Sequence, residues 1–324
     1  MKKEFIDEIS KSLNIKEKGL IEKDLILHQM LIDLSKDKFF SENFLFKGGT
    51  CLTKNYMGYF RFSEDVDFTW KKQSVFKDLS MKKLRAILSK DLNKIGEIIE
   101  KIAEKRGLEF KPDKTNKDYV KIGSSNKMVT FKVWYNSEIT NTKTFFIIQI
   151  NFLDLILFDT EKGKLKSLLK KSDKTKRIEL LYPELFKEYS SPVSFEVYNI
   201  KEIICEKIRA VLTRKGVKGR DFLDVYLISK EFNINLDDIK DKIIRKLVFI
   251  LDKYERYRDN LEAKEKTNAF SGDFFKWGEE KNLLLKEIDE KDFYTFLDKF
   301  SEFLSRILNE LKEKDKKPEG SEII

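Results

Sequence analysis

The sequence predicts an α+β protein: a mixed sheet flanked by helices, followed by a helical C-terminal domain. Three observations carry this. Short aromatic and β-branched runs between residues 44 and 158 are interrupted by one long amphipathic stretch. From residue 200 onward, apolar residues keep to helical spacing. Finally, 324 residues with 27 Phe are enough to fill two cores. The division falls between residues 160 and 200, giving a first domain at 1–195, a helical domain at 196–310 and a frayed tail at 311–324.

Residues 1–40 are expected to be helical, with Leu20, Leu27, Leu31 and Leu34 near one face. Phe44-Leu45-Phe46 reads as a short strand running into the breaker pair Gly48-Gly49. Thr50 stands where an N-cap would be, and a short helix from Cys51 ends at Gly58. Val66, Phe68 and Trp70 alternate with Asp65, Asp67 and Thr69 as a second strand. A long helix covers Met81–Arg106, with apolar residues at Leu84, Ile87, Leu88, Leu92, Ile95, Ile98 and Ile99. Met128–Tyr135 and Thr144–Phe158 read as a strand hairpin, and Lys162–Lys176 as a solvated crossover. Helices follow at Ile200–Arg214 and Asp221–Lys230, and the pattern stays helical to about Glu310.

Composition excludes several chemistries. One histidine, His28, and two cysteines, Cys51 and Cys205, cannot supply the ligand spacings of a zinc site. A histidine-dependent nucleophile could use only His28, which its amphipathic setting assigns to packing or surface. The cysteines read as reduced, buried thiols. No secretory apolar stretch opens the chain, and the most hydrophobic segment, Phe145–Phe158, is too short to span a bilayer, so a cytoplasmic protein is expected. With 65 Lys+Arg against 56 Asp+Glu, the net charge of +9 suits a polyanionic partner, although a merely Lys-rich composition gives the same sum. Phe274, Phe275 and Trp277 could stack bases, but helical core packing is the better reading.

The chemistry lies in Lys47-Gly48-Gly49-Thr50-Cys51-Leu52-Thr53-Lys54 and Arg61-Phe62-Ser63-Glu64-Asp65-Val66-Asp67-Phe68. Asp65 and Asp67 are two apart on a strand, so both carboxylates leave one face and repel unless a cation lies between them. Mg²⁺ prefers such oxygen ligands and takes others from water and phosphate. A Gly-Gly turn at a helix start offers backbone N–H groups to phosphate, with Thr50 as a further hydroxyl donor. In the second domain, Lys207 interrupts the apolar stripe of Ile200, Ile204 and Val211, so it either snorkels outward or meets an anion. Asp221 and Asp224 share a helix face; they could hold Lys207, or Asp221 could serve as a cap.

GGTxLxK followed by RFSEDVDF resembles the AbiEii/AbiGii-type abortive-infection nucleotidyltransferase toxins, within the DNA polymerase beta-like nucleotidyltransferase superfamily. The Glu206-Lys207-Ile208-Arg209-Ala210 and Arg220-Asp221-Phe222-Leu223-Asp224 segments look like that family's later motifs. The resemblance implies a nucleotidyltransferase-like sheet, with Lys47, Gly48, Gly49, Thr50, Lys54 and Ser63 at the nucleotide. It implies Asp65 and Asp67 as ligands of Mg²⁺ or Mn²⁺, and Asp65, Asp67, Lys207, Asp221 and Asp224 as the catalytic set. The implied activity is transfer of a nucleoside monophosphate from a nucleoside triphosphate to an acceptor hydroxyl, foremost a tRNA 3′ end. A toxin of this kind also has a cognate antitoxin and belongs to abortive infection, a phage defence. One departure stands out: in Phe146–Phe152, Gln149 occupies the place where the superfamily often has a third acid.

Other readings stay open at this level. The acceptor could be a protein hydroxyl, or the chain could be an impaired triphosphate-binding module, as Gln149 hints. A metal-dependent nuclease would use the acids but leave the glycine turn without a task.

Overall fold

The alternating runs of the first half become a seven-stranded mixed sheet in the computed structural model, which describes residues 2–76, 79–123, 127–267, 275 and 277–315. The strands are β1 (Phe44–Lys47), β2 (Asp65–Trp70), β3 (Val120–Gly123), β4 (Met128–Asn136), β5 (Lys143–Asn151), β6 (Glu161–Leu165) and β7 (Val193–Val197), in spatial order β3-β4-β5-β2-β1-β7-β6. β2 runs parallel to β5 and β1 parallel to β7, while the β1–β2, β3–β4, β4–β5 and β6–β7 pairs are antiparallel. The chain divides into two compact units, Met1–Asn199 with Asn282–Lys286, and Ile200–Lys281 with Glu287–Ile324.

In the first unit the period-two pattern separates the faces of the sheet. Phe44, Phe46, Val66, Phe68, Val129, Phe131, Val133, Phe146, Ile148 and Ile150 share the face that is buried. Aromatic edges knit it together: Phe40 meets Phe68 edge-on at 4.7 Å and Phe44 meets Trp70 at 5.1 Å. Such pairs add about 0.5–1.5 kcal/mol each beyond area burial. The opposite face carries Lys47, Asp65, Asp67, Gln149, Thr130, Lys132 and Trp134, and on β4 and β5 its residues are only half-buried.

Helices α1 (Lys2–Leu13), α2 (Lys18–Lys36), α3 (Lys38–Asn43), α4 (Gly48–Cys51), α5 (Met81–Arg106), α6 (Lys176–Leu181) and α7 (Pro183–Ser190) belong to this unit, and α2 packs against α1, α5, α7 and β7. Because α2 is buried on nearly every side, its polar residues need partners. Asp33 takes Lys105 at 2.7 Å and Arg106 at 2.5 Å, and Glu22 accepts the Glu138 backbone N–H at 2.8 Å. His28 lies inside the unit, as its packing reading requires. Its Nε2 donates to the Ser191 carbonyl at 2.8 Å, while Nδ1 is buried without a partner among the described residues. Burial, then the charge of Lys54, pushes its pKa down to about 4. Cys51 and Cys205 are buried free thiols.

Several expectations shift. The second hairpin strand stops at Asn151, not Phe158: the Phe152 N–H makes one last bond in the β4–β5 register, to the Lys127 carbonyl at 2.8 Å, and no strand pairing continues beyond it among the described residues. The Lys-rich crossover contains edge strand β6, whose Gly163 and Leu165 face inward beside β7. Strand β7 lies between β1 and β6 and joins the edge strand to the sheet. The α4 turn starts at Gly48, so the N-cap position belongs to Lys47 rather than Thr50.

The second unit is helical. Its α8 (Ile200–Thr213) packs against α9 (Gly219–Glu231), α10 (Lys240–Lys253) and α11 (Glu255–Lys266), and α12 (Glu290–Asp315) packs against α9 and α10. Helix α12 therefore continues past residue 310, and only residues 316–324 of the expected tail lie outside the described residues, as does Phe274. Phe275 is buried against Phe222, Phe293 and Trp277, which is core packing. Among the described residues no helix is long and apolar enough to cross a membrane.

Candidate functional site

Strand β1 delivers the chain to Lys47 in extended conformation, and Gly48 then takes φ +75°, a region costly for residues with a Cβ. The α4 turn continues directly into a π-helical segment, Leu52–Met57, which stops at Gly58 with φ +67°. Antiparallel pairing sets Lys47 opposite Asp67, so the glycine turn begins where the acidic strand passes. The contact is intimate. A Cβ built on Gly48 would lie 2.2 Å from Asp67 Oδ2 and 2.8 Å from Asp67 Cγ. The Asp67 carboxylate thus occupies the space that any other residue at position 48 would claim. Asp65, two residues earlier on β2, leaves the same face, and both acids are half-buried.

Gly49 has a separate task. A Cβ there would lie 2.8 Å from Arg61 Nη2 and 3.0 Å from Ser63 Oγ. Arg61 is 2 % exposed, and its Nη1 donates to the Phe62 carbonyl at 2.8 Å. A guanidinium is therefore packed directly against the turn and adds fixed positive charge where the backbone N–H groups begin. Thr50 is 1 % exposed; its hydroxyl donates to the Asp65 carbonyl and lies 2.9 Å from Ser63 Oγ. Thr50 and Ser63 thereby tie the turn to the start of β2, a bracing position rather than that of a free hydroxyl donor.

The remaining basic residues fare differently. Lys47 shares the sheet face of Asp67, but its ammonium is engaged by Asp154 Oδ2 at 2.8 Å and lies 5.1 Å from the centre of the Tyr198 ring. The Tyr198 hydroxyl donates to the same Asp154 oxygen at 2.8 Å. Lys54 is not brought to the turn. It is 1 % exposed and pairs with Asp24 Oδ1 of α2 at 2.7 Å, while Asp24 Oδ2 accepts from the Tyr59 and Tyr189 hydroxyls at 2.8 and 2.5 Å. The π-helical winding turns Lys54 inward, so the C-terminal lysine of GGTxLxK holds the turn's helix to α2.

Parallel pairing of β2 and β5 sets Gln149 beside Asp67 and Ile147 beside Asp65. The place next to Asp67 on the neighbouring strand is therefore neutral. The described residues contain no group of three or more His, Cys, Asp or Glu side chains that could close around a metal. Asp65 and Asp67 offer two hard oxygen donors on one face, leaving further positions to water and phosphate oxygens. That is a donor set Mg²⁺ accepts, so the residues present fit the ion.

In the second unit, Lys207 is clamped by both expected acids: its Nζ lies 3.1 Å from Asp221 Oδ1 and 2.7 Å from Asp224 Oδ2. Asp221 and Asp224 are almost wholly buried, and Lys207 is 12 % exposed. Burial works to raise the Asp221 pKa, but Lys207 and then Arg214 outweigh it and hold the carboxyl below its ordinary value. The lysine meets anions rather than snorkelling freely.

Arg61, Asp154 and Tyr198 were not legible as site residues from spacing alone. Asp154 had a signal, being the only charge in Phe145–Phe158. Arg61 stood inside the quoted motif but carried no periodicity that foretold its burial.

The sequence profile described as "Nucleotidyl transferase AbiEii toxin, Type IV TA system" matches residues 31–318. Among solved structures, JHP933 from Helicobacter pylori is 15% identical, with 93% of this chain and 96% of that one covered at a TM-score of 0.42. A candidate nucleotidyltransferase from H. pylori is 17% identical, with 92% and 99% covered at a TM-score of 0.42. A search of curated proteins gives no match. With its profile spanning nearly the whole chain, including both acidic motifs and the glycine turn, the protein belongs to the AbiEii family of nucleotidyltransferase toxins of type IV toxin–antitoxin systems.

Proposed function

We propose that the protein transfers a nucleoside monophosphate from a nucleoside triphosphate to the 3′ hydroxyl of tRNA, releasing pyrophosphate. The observation that carries this reading is the seating of the Asp67 carboxylate against the α-carbon of Gly48. It makes one small site of the two features the chemistry needs: acids for a cation and a turn of backbone donors for a phosphate tail.

Phosphoryl-type transfer depends chiefly on positioning and on neutralising charge. The Gly48-Gly49 turn would bind the leaving phosphates through its N–H groups, with Arg61 behind Gly49 adding positive charge. Asp65 and Asp67 would hold Mg²⁺, which when bound neutralises the triphosphate and polarises the phosphorus under attack. Asp154 and Tyr198 hold the ammonium of Lys47, the residue paired with Asp67, and from that position its charge would limit the repulsion between carboxylate and phosphate. Asp67 can also accept the proton of the attacking hydroxyl, since Gln149 cannot. On the strength of the family motif, Lys207 is assigned to the same reaction as a cation for the triphosphate, kept aligned by Asp221 and Asp224. A cognate antitoxin would neutralise the protein in the cell, in the setting of phage defence.

The test is incubation with each of four α-labelled triphosphates, total tRNA and cell lysate, followed by separation of RNA from protein. Label is expected in tRNA with wild-type protein and Mg²⁺, and is lost with Asp65→Ala. Label confined to protein would replace the acceptor, and full activity of Asp65→Ala would end the assignment.

A further inference from the structure

The sheet face that carries Asp65 and Asp67 continues across β5, β4 and β3, and its character changes as it goes. Phe145 of β5 pairs with Trp134 of β4, and the two rings are 4.7 Å apart between centroids. Both are half-buried. The Trp134 indole N–H donates to the Asp118 carbonyl at 2.7 Å, which fixes the ring, and the Lys143 ammonium lies 5.5 Å from the ring centre. Lysines follow the same face along β4 and β3, Lys132 beside the pair and Lys121 farther along. Lys132 Nζ lies 5.1 Å from the Phe145 ring centre, and Lys121 pairs across from Thr130 on the adjoining strand. Neither Lys121 nor Lys132 has a carboxylate partner among the described residues, whereas Lys143 is paired with Glu109 at 2.7 Å.

Register ties this patch to the acids. Asp65 pairs with Ile147, and Phe145 is two residues away on the same strand and face. One strand spacing and two residues of rise put Phe145 about 8 Å from Asp65 between α-carbons. Ordered aromatic rings with ammonium groups free of carboxylate partners along the same face are the recognition chemistry of an unpaired nucleic-acid strand, whose bases stack on rings while lysines follow the phosphates. A duplex keeps its bases stacked on one another and cannot use the rings. A peptide acceptor could pair acidic side chains with the lysines but offers no run of planar bases to stack on the rings.

We propose that Trp134 and Phe145 form a stacking platform for the unpaired 3′ end of the acceptor RNA, with Lys121 and Lys132 on its phosphates, delivering the terminal hydroxyl to the Asp65–Asp67 edge of the same face. This rests on the reading of the protein as an RNA-directed transferase and names the part of the chain that recognises the RNA. On binding, a base takes the ring face now shared with the Lys132 ammonium, which turns to a phosphate.

The experiment is fluorescence anisotropy of the full chain with three labelled probes: a 12-nucleotide unpaired RNA, the same RNA in a duplex, and the DNA of the same sequence. Unpaired RNA is expected to bind tightest. Trp134→Ala and Phe145→Ala each weaken it about tenfold, Trp134→Phe restores most of the affinity, and labelled triphosphate binds all variants alike. Lys132→Gln, which leaves the rings in place, lowers the slope of log affinity against log salt by about 0.7. Equal binding of duplex and unpaired RNA, stronger binding of the DNA, or an unchanged affinity in Trp134→Ala overturns the platform, even if tRNA becomes labelled. Ring-dependent RNA binding without label in any RNA supports the platform and counts instead against the transferase reading.

Discussion

Gln149 stands directly beside Asp67 on the neighbouring parallel strand, so the carboxylate seated against Gly48 has a neutral amide where a second acid would repel it. Gln149→Glu therefore places like charges on adjacent positions of one sheet face. The variant should be about 1 kcal/mol less stable than wild type at pH 7 without divalent cation, since opposed like charges destabilise a strand pair. Mg²⁺ should recover that loss and bind more tightly than to wild type. Thermal melts with and without Mg²⁺ measure both, and a variant indifferent to the ion would mean that a carboxylate introduced at this position does not face Asp67.

The two left-handed glycines that bracket the turn separate strain from contact. Gly58→Ala meets nothing within 4 Å, so it should cost only the backbone term, about 1–3 kcal/mol for a residue at φ +67° and ψ −175°, and keep activity. Gly48→Ala adds a collision with Asp67 and should lose at least about tenfold more transfer than Gly58→Ala at equal folded fraction. Urea titration and the labelled-triphosphate assay compare them, and equal activity in the two would contradict the close approach.

Lys54 is expected to matter to stability and not to triphosphate affinity. Lys54→Met leaves the buried Asp24 carboxylate without its cation and should cost about 3–5 kcal/mol. Adding Asp24→Asn should recover a large part of the loss, a coupling that a double-mutant cycle reads directly. A variant with native stability and weakened triphosphate binding would return Lys54 to the nucleotide.

These outcomes mark how much the sequence could disclose. The glycine turn at Gly48 and the strand that carries Asp65 and Asp67 are readable in the sequence because the signal of each is local: a breaker pair, then two acids at strand spacing. The Lys54–Asp24 pair is not readable from spacing because Asp24 lies far back along the chain on α2, and because a π-helical winding departs from ordinary helix periodicity. β6 hid in the Lys-rich Glu161–Leu165 because an edge strand needs only two inward residues, here Gly163 and Leu165. β7 carries an alternating pattern in Val193-Ser194-Phe195-Glu196-Val197, but it is only five residues long and its pairing with β1 is set by tertiary structure. Asp154 could be noticed as a lone charge in an apolar run, but its pairing with Lys47 is set by tertiary structure.

His28 gives the fold a pH dependence with a definite sign. Its pKa falls from 6.5 to about 4 on folding, chiefly through burial, so the unfolded chain binds the extra proton first. Stability from this residue is present in full above about pH 6.5 and is lost as pH falls towards about 4, by at most about 3 kcal/mol. His28→Gln retains a donor for the Ser191 carbonyl and should remove this component. Urea midpoints of both proteins between about pH 7 and 4 check it, through their difference, because other carboxylates titrate there too.

The central claim is that one triphosphate and one cation meet between the Asp65–Asp67 strand and the Gly48 turn. Its most direct test is a crystal of the protein grown with Mn²⁺ and a non-hydrolysable triphosphate, measured for the anomalous signal of manganese. The account predicts a manganese peak at the Asp65 and Asp67 carboxylates with phosphate density on the Gly48-Gly49 backbone. A peak elsewhere, or a triphosphate bound away from that turn, would contradict it.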